Sequence, residues 1–310
     1  MMKKMLGLMI AAGLVVAIAS TTSAAVTTPR QFNLDIKVLY NARQIASDVK
    51  PEVVNSTVFV PFRAVSDALG AQLAVTPDWK TITFAKGSRK VTVTIGSKTA
   101  VVNGKNVALT VAPYATKGRT MVPTRFVSEQ LGESVEWDSL SRFVWIGHKN
   151  VPTLEEATEA KDIKPFLHYF KGIHADSILN NHRKAETYAT VRVIREEDFP
   201  LIVAGDIYYR LDLVTTTKNA KAFRAVTTDK GVMGATFYLL QTGQVLKIRQ
   251  PAGVESIGDI RIRYNLVTSS SDEDRYGIKD WDKLNISDAE YVGIYMPSDS
   301  LILVENYFDN

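Results

Sequence analysis

The order of hydrophobic and polar positions in the first half of the chain recurs at a distance of 62 residues. The segment 60–70, with the sequence VPFRAVSDALG, returns at 122–132 as VPTRFVSEQLG, and the register continues without insertion from about 36 to 148. Two copies of one supersecondary unit explain such a period better than one irregular domain does. The repeated positions are not typical of catalysis, so we interpret the repeat as a structural scaffold.

Each copy predicts two short strands, one helix and two further strands. A helix is expected to begin at each Val-Pro step, because proline is tolerated in the first turn, where its missing N–H has no partner. Phe62, Val65 and Leu69 fall on one helical face. Gly70 and Gly132 end the two helices at a position that often needs left-handed backbone. Strands are predicted at 37–40, 43–49, 81–84, 99–102, 105–111 and 142–146.

The second half of the chain has a different pattern. Residues 149–164 are acidic and rich in alanine, which predicts a linker containing a short helix or a semi-rigid connector. Residues 165–178 are predicted to form another helix. From residue 187 onward, short apolar runs separated by turn residues predict strands, at 188–194, 201–214, 222–228, 234–240, 245–248, 260–267, 291–296 and 301–304. The predicted fold class is therefore α+β: two tandem β-β-α-β-β repeats form an N-terminal module, and a β-rich domain of unknown function follows at 165–310.

Residues 1–24 are typical of a signal peptide. Lys3 and Lys4 precede an apolar run over 5–19, and small residues then offer a cleavage site after Ala24 or Ala25. Retention of this segment as a membrane anchor is the alternative, although the run is short for a membrane span. The chain contains no cysteine, so its stability cannot depend on disulfides. We expect a secreted or wall-associated protein of a bacterial envelope.

Charge is distributed unevenly along the chain. Residues 25–150 carry 16 lysines and arginines against 9 acidic residues, whereas residues 151–310 carry 19 against 24. A basic half and an acidic half are consistent with contact to an anionic surface, with attraction between the halves, or with ordinary solvated surface. Nucleic acid is a poor candidate partner, because the chain has no basic stripe with interleaved stacking aromatics.

The repeated motif resembles that of a known family. The Val-Pro-x-Arg-x-Val-Ser-x-x-Leu-Gly segments, the turn at 102–105 and the lead-in at 118–123 are similar to the copper amine oxidase N-terminal-like domain, or stalk domain. That family is common in exported proteins of Gram-positive spore-formers, and the resemblance covers residues ~34–148. It implies an appended non-catalytic α+β module. The first copy departs from the pattern at Asn41-Ala42 and at 55–57, where glycine-containing turns are expected.

The resemblance does not extend to amine oxidase chemistry. That reaction needs a tyrosine-derived quinone and three histidine ligands for copper. Asn306-Tyr307 resembles part of the quinone motif, but Leu303 and Phe308 stand where that motif has Thr or Ser and Asp or Glu. The histidine spacings do not match one imidazole copper site; the four histidines are His148, His168, His174 and His182.

Arg63 and Arg125 occupy the same place in the two copies. A residue that recurs in this way is expected to solve a shared folding problem, such as bonding carbonyls at strand ends or pairing with a carboxylate. Ligand binding is the alternative. Trp137 and Asp138 have no counterpart in the first copy, and we interpret them as packing residues.

One acidic segment has features of a calcium loop. Asp272, Asp274 and Gly277 stand at relative positions 1, 3 and 6, but Tyr276 and Lys283 occupy positions 5 and 12, where calcium needs oxygen ligands. Asp280 and Asp282 are further candidate oxygen donors. A solvated acidic turn is the competing interpretation, and Glu196-Glu197-Asp198 is likewise interpreted as a charged turn.

No catalytic, cofactor-binding or metal-ligating residue is assigned from the sequence, which lacks the common nucleophile, zinc and phosphate-loop motifs. The leading hypothesis is an exported, non-catalytic envelope protein whose stalk module anchors, displays or binds wall or extracellular components. An anionic wall polymer or another envelope protein is the expected partner. The alternatives are an exported hydrolase with its site in 165–310 and a ligand- or calcium-binding sensor.

Overall fold

The computed structural model describes residues 32–308, apart from positions 182, 183, 185, 230 and 232–235. The predicted signal peptide and His182 lie outside the described residues. From Phe32 onward the chain forms one compact unit. Within the described part, no helix combines the length and the apolar character needed to cross a membrane.

The N-terminal half contains both predicted helices and a strand at each of the six predicted places, together with seven strands that the sequence did not predict. Its first elements are β1 (Lys37–Tyr40), β2 (Arg43–Gln44), β3 (Glu52–Val54), β4 (Thr57–Pro61), α1 (Phe62–Leu69), β5 (Gln72–Val75), β6 (Thr81–Lys86) and β7 (Arg89–Thr94). The next are β8 (Thr99–Val102), β9 (Lys105–Ala108), β10 (Tyr114–Thr116), β11 (Arg119–Pro123), α2 (Thr124–Gln130), β12 (Val135–Asp138) and β13 (Phe143–Ile146).

Both helices end as the glycines predict. Gly70 has a φ of 62° and its N–H bonds to the carbonyl of Asp67, while Gly132 has a φ of 97° and bonds to the carbonyl of Glu129. Only glycine adopts such backbone without steric cost. The apolar face of α1, with Phe62, is buried as predicted, and each large apolar side chain buried in this way contributes about 1.5–3 kcal/mol.

The tight turns at 41–42 and 103–104 both have left-handed backbone, despite their different residues. Asn41 and Ala42 have φ values of 49° and 61°, and Asn103 and Gly104 have values of 49° and 82°. Ser56, with a φ of 59°, likewise adopts positive φ. The departures of the first copy from the family pattern therefore leave its turn geometry unchanged.

Two of the three N-terminal sheets combine strands that lie far apart in sequence, whereas the remaining sheet consists of five consecutive strands. Their strand orders are β12-β13-β1-β2, β5-β6-β7-β8-β9 and β10-β11-β4-β3. In the first sheet, β1 pairs in parallel with β13. In the third, β4 pairs antiparallel with β11, so that Val60 lies opposite Val122. Residues 62 apart in sequence thus meet at the centre of the module, above a shared core.

The C-terminal half is β-rich. Together with the N-terminal half and its two helices, it forms a mixed α+β fold in which strands predominate. Its elements are α3 (Leu154–Ala157), β14 (Ala160–Asp162), α4 (Ala175–Leu179), β15 (Asn180–Asn181), β16 (Glu186–Thr187), β17 (Thr190–Ile194), β18 (Leu201–Val203), β19 (Asp206–Thr215), β20 (Lys221–Thr227), β21 (Thr236–Leu240), β22 (Lys247–Arg249), β23 (Pro251–Ile257), β24 (Ile260–Leu266), α5 (Ser271–Tyr276), β25 (Tyr291–Tyr295) and β26 (Leu301–Glu305). Short 3-10 turns lie at Lys164–Tyr169, Glu196–Asp198, Trp281–Lys283 and Ile286–Asp288.

Two sheets organise this half. A six-stranded sheet has the order β14-β17-β26-β25-β21-β22, and a five-stranded sheet has the order β18-β19-β20-β24-β23. A core cluster draws side chains from both, including Ile194, Phe223 and Phe237. The stacking of apolar faces from two sheets is the usual way in which a β-rich domain buries its core.

Two segments between residues 149 and 178 also differ from the sequence-based predictions. The helix predicted over 165–178 is divided into a 3-10 turn and α4, because Gly172 between them has a φ of 93°. The segment 149–164, predicted as a linker, is packed against the C-terminal half. Thr153 and Glu156 form a capping box that starts α3, Leu154 is buried in the C-terminal core, and β14 pairs with β17.

The two halves of the chain are joined by buried polar contacts. Arg210 of β19 donates Nη1 hydrogen bonds to the carbonyls of Ser141 and Asp35, and its Nε binds Asp212 at 2.8–2.9 Å. Lys37 of β1 forms a 2.5 Å ion pair with Glu196. A small apolar cluster that includes Leu39 packs partly against Tyr209. One ion pair, Lys37 with Glu196, and two hydrogen bonds from Arg210 to backbone carbonyls therefore cross this interface.

Candidate functional site

A surface cleft of about 600 Å³, which we name the Arg125 cleft, lies in the N-terminal module. One wall is the hairpin of β3 and β4, and the other combines α2, β12 and the turn before β13. Its lining residues are Ile36, Val53, Ser56, Thr57, Val58, Arg125, Trp137, Arg142 and Val144. A volume of this size falls within the range of small-molecule sites, about 300–1,000 Å³.

The Arg125 cleft is cationic, because two arginines and no acidic residue line it. Arg125 is exposed on α2, and its guanidinium has no hydrogen bond or ion pair with any described residue. Arg142 is half-buried in a turn with a φ of 53°. Its Nε is buried and lacks a hydrogen-bond partner within the described chain. Buried donors are nearly always satisfied in folded proteins, so this donor set is unusual.

Exposed apolar groups lie beside these two arginines. Trp137 on β12 is 39% exposed, and Val53 on β3 is 52% exposed. Of the other tryptophans, Trp145 is buried and Trp281 is half-buried, whereas Trp79 is 56% exposed in a second cleft. Large apolar side chains exposed together beside polar groups often mark binding surfaces.

The second cleft, which we name the Arg63 cleft, has a volume of about 830 Å³. The guanidinium of Arg63 lies 5.7 Å from the ring centroid of Trp79. Unlike the Arg125 cleft, this one contains acidic residues, namely Asp48, Asp67 and Asp78. Asp48 is bonded by Arg119 at 2.5 Å and 2.9 Å, and this hydrogen bond lowers the pKa of the carboxyl. Positive and negative charges therefore balance in the Arg63 cleft.

The two clefts are lined by positions 62 apart in sequence. Arg63 corresponds to Arg125, and Lys80 corresponds to Arg142. In the hairpin walls, Val53, Ser56, Thr57 and Val58 correspond to Ala115, Gly118, Arg119 and Thr120. Each cleft combines the helix of one segment with the hairpin of the other, because β4 and β11 pair at the centre of the module.

The recurring arginines do not make the structural contacts predicted from the sequence. Within the described chain neither Arg63 nor Arg125 bonds a carbonyl or a carboxylate, and each lines one of the clefts. Trp137, predicted to pack, is instead exposed in the Arg125 cleft. Asp138 has a local structural role, since its Oδ1 accepts the backbone N–H groups of Leu140 and Ser141 at 2.9 and 3.1 Å.

The acidic segment interpreted as a possible calcium loop contains a buried ion pair. Asp272 is fully buried, and its two oxygens accept hydrogen bonds from Arg249 at 2.9 and 2.6 Å. Asp280 accepts a bond from Lys283 at 2.9 Å. Asp272 is therefore already neutralised by a guanidinium, and the described residues contain no group of three or more histidine, cysteine or acidic side chains placed to hold a metal.

The remaining candidates of the C-terminal half have local contacts. His168 is exposed, with its Nδ1 2.9 Å from the carbonyl of Pro165, and His174 packs edge-on against Tyr276. Tyr307 donates a 2.7 Å hydrogen bond to the carbonyl of Leu211. In the turn at Glu196–Asp198, burial raises the pKa of Asp198, whose carboxylate accepts the N–H of Arg195 at 2.7 Å.

A smaller cavity of about 190 Å³ at the junction of the two halves contains three carboxylates. Each of them forms an ion pair with a lysine or arginine. The pairs are Asp35 with Lys50, Glu196 with Lys37, and Asp212 with Arg210 and Arg224.

Comparison with known families agrees with the motif analysis. Residues 39–146 match the family model described as the copper amine oxidase N-terminal domain, which confirms the resemblance drawn from the repeated motif. This part of the chain is therefore a stalk-type module. Among curated proteins, no relative of the chain was found. The match ends before the C-terminal half begins, and it includes the helices and most of the hairpin walls of both clefts.

Proposed function

We propose, starting from the copper amine oxidase N-terminal domain at residues 39–146, that this chain is an exported, non-catalytic envelope protein whose N-terminal module binds a wall component. The observation that carries the proposal is the Arg125 cleft, where two arginines face an opening without an acidic residue. The basic composition of residues 25–150 supports the same conclusion. The acidic C-terminal half is the part that such a module would hold or display.

Export is the part of the proposal that depends on the sequence alone. Lys3 and Lys4, the apolar run behind them and the small residues up to Ala25 support cleavage by a signal peptidase. Cleavage would leave a secreted or wall-associated chain. N-terminal sequencing of the protein from the culture medium and from the wall fraction tests this step directly.

We also propose that the module is built from two copies of one unit arranged about a local twofold axis. The antiparallel pairing of Val60 with Val122, which are 62 residues apart, supports this arrangement, because a twofold axis brings equivalent residues opposite each other. Strand β7 then serves as the connection that carries the chain from one copy to the other. The proposal explains why two clefts have corresponding linings.

The function is tested by wall pull-down with the whole chain from residue 25. Separate halves are unsuitable, because Arg210 and Lys37 connect them through buried or half-buried contacts. The chain is expected to sediment with purified walls and to be released by salt, since exposed charges are screened at high ionic strength. Replacing Arg125 and Arg142 together by alanine is expected to abolish retention.

The matched control replaces Lys98 and Lys105 by alanine, which removes the same charge from exposed positions outside both clefts. If the lysine variant still sediments with the walls and the arginine variant does not, the contact is specific to the Arg125 cleft. Equal loss in both variants would indicate only a general charge effect. A wild-type chain that stays in the supernatant at low salt would contradict wall binding and leave a soluble ligand or a hydrolase substrate as the better hypothesis.

A further inference from the structure

The two clefts differ in charge although their linings correspond. The Arg63 cleft contains Asp48, Asp67 and Asp78, whereas the residues 62 positions further on are Thr110, Glu129 and Leu140, and none of them lines the Arg125 cleft. Each cleft has an arginine on its helix and a second basic residue, namely Arg63 with Lys80 and Arg125 with Arg142. Only the Arg125 cleft therefore presents basic groups without internal neutralisation.

The donors in the Arg125 cleft suit a planar anion. A guanidinium offers five N–H donors in a fixed plane, and it binds a carboxylate with two parallel hydrogen bonds. Arg125 has no partner among the described residues, and the Nε of Arg142 is buried without one. A ligand that supplies a carboxylate would bond to the open guanidinium of Arg125, beside the positive charge that Arg142 adds to the cleft wall.

The apolar part of the lining indicates what accompanies the anion. Trp137 and Val53 are exposed beside the arginines. A bare inorganic anion would not cover these two apolar side chains, so a ligand with an apolar face fits the cleft better. One face of a hexose ring presents C–H groups, which pack on the negative face of an indole. Its hydroxyl groups are matched by Ser56 and Thr57, which stand on the hairpin wall.

We propose that the Arg125 cleft binds a saccharide that carries a carboxylate, with the sugar ring on Trp137 and the carboxylate at Arg125 and Arg142. The proposal deepens the function proposed above by naming the ligand class, and it rests on that function only for the biological source of the saccharide. A uronic-acid polymer and a muramic-acid glycan both have this chemistry.

The test is calorimetric titration of the whole chain from residue 25 with three probes. These are tetragalacturonate, the disaccharide of N-acetylglucosamine and N-acetylmuramic acid, and neutral tetra-N-acetylglucosamine. At least one acidic probe is expected to bind about tenfold or more tightly than the neutral one, because a hydrogen-bonded charge pair contributes on that scale. The acidic probe that binds identifies the source.

Paired variants place the binding in one cleft. Trp137→Ala and Arg125→Gln are each expected to weaken binding about tenfold or more, since each removes one of the two contacts. Trp79→Ala and Arg63→Gln are the matched controls at the other cleft, and they are expected to leave binding within about twofold. Circular dichroism verifies that all four variants, whose changed residues are exposed, remain folded.

Three results would overturn the proposal: no binding of either acidic probe, equal binding of the neutral and acidic probes, or a loss confined to the Trp79 and Arg63 variants. The outcome is separable from that of the wall pull-down. Wall retention without saccharide binding would reject this ligand and keep the proposed function. Saccharide binding without wall retention would keep the ligand and reject the wall as its source.

Discussion

The phenol of Tyr114 donates a 2.7 Å hydrogen bond to Oε2 of Glu52, and the two residues are 62 positions apart in sequence. They stand on β10 and β3, the outer strands of the sheet in which Val60 faces Val122. Burial, together with the hydrogen bond and charge of Glu52, raises the pKa of Tyr114 well above its usual value. The phenol therefore stays protonated at neutral pH and holds the two hairpins together across the centre of the module.

Replacing Tyr114 by phenylalanine is expected to lower the free energy of unfolding by about 1–2 kcal/mol, because Glu52 loses a half-buried donor. Urea unfolding monitored by tryptophan fluorescence measures the change. The control is Tyr209→Phe, since the hydroxyl of Tyr209 has no hydrogen bond within the described chain. A loss of equal size in both variants would show that the pair does not stabilise the module.

The contact between Arg210 and the N-terminal half is expected to dominate the stability of the interface. Arg210→Met removes hydrogen bonds to Asp35 and Ser141 and leaves Asp212 with the 3.4 Å contact of Arg224 alone. The free energy of unfolding is expected to fall by about 3 kcal/mol, which is the lower end of the range for breaking a buried ion pair, because Arg224 still neutralises Asp212. Chemical denaturation, followed with a separate spectroscopic probe in each half, measures this loss of stability.

The matched control for that interface is Arg275→Met, which changes an exposed arginine of α5 that has no ion pair with a described residue. This variant is expected to stay within about 0.5 kcal/mol of the wild type. If both variants unfold at the same denaturant concentration as the wild type, Arg210 does not hold the halves together.

The pair of Arg249 and Asp272 is expected to make the acidic segment insensitive to calcium. Calcium at millimolar concentration should leave the melting temperature unchanged, because the oxygens of Asp272 are already bonded to a guanidinium. Asp272→Asn should destabilise the fold by about 3–5 kcal/mol, since it leaves a buried charge unpaired. Glu273→Gln, at the adjacent exposed position, is the control. A calcium-dependent rise in the melting temperature would contradict this interpretation.

Lys247 is expected to destabilise the protein at neutral pH. Lys247 is 3% exposed, its Nζ donates only a long 3.5 Å hydrogen bond to the carbonyl of Val245, and it has no ion pair within the described chain. Burial, and to a smaller extent the charge of Arg249, lowers its pKa below 10.5. Lys247→Met should therefore raise the free energy of unfolding at pH 7 by about 1–3 kcal/mol, as other replacements of buried ionic groups by apolar ones do.

The direction in which stability changes with pH provides a second test of the role of Lys247. A lysine whose pKa is lower in the folded state binds fewer protons there, so wild-type stability rises with pH between the folded value and 10.5. The advantage of Lys247→Met should shrink over that interval. The exposed Lys221→Met serves as the control and should show no such trend. A variant less stable than the wild type at pH 7 would show that Lys247 has a stabilising contact.

Local features of the structure follow from the sequence with little ambiguity. The helix of the first copy begins after a Val-Pro step and ends at Gly70, and the second ends beside Gly132, because these residues restrict or free the backbone where they stand. The apolar face of α1 was predicted from its spacing alone. The division of the helix predicted at 165–178 was missed, although Gly172 was a visible signal within that segment.

The candidate site was only partly visible in the sequence. The repeat singled out Arg63 and Arg125, but recurrence alone favoured a structural role for both. Trp137 stands out because it lacks a counterpart, and the sequence favours a packing role for it, whereas its side chain is 39% exposed and lines the Arg125 cleft. The contribution of Thr57 to the same cleft has no sequence signal, since its hairpin lies 68 positions before Arg125 in the chain.

The sequence by itself determined the ends of α1 and α2, the turn at 103–104, the β-rich character of the second half and the stalk-type module, because each depends on backbone preferences or hydrophobic patterns within a short segment. Only the tertiary structure decided that β1 pairs with β13, that β4 pairs with β11, and that Arg249 neutralises Asp272. Those contacts join residues far apart in sequence. Several pairings satisfy the same local pattern, and the choice among them depends on how the complete core is packed.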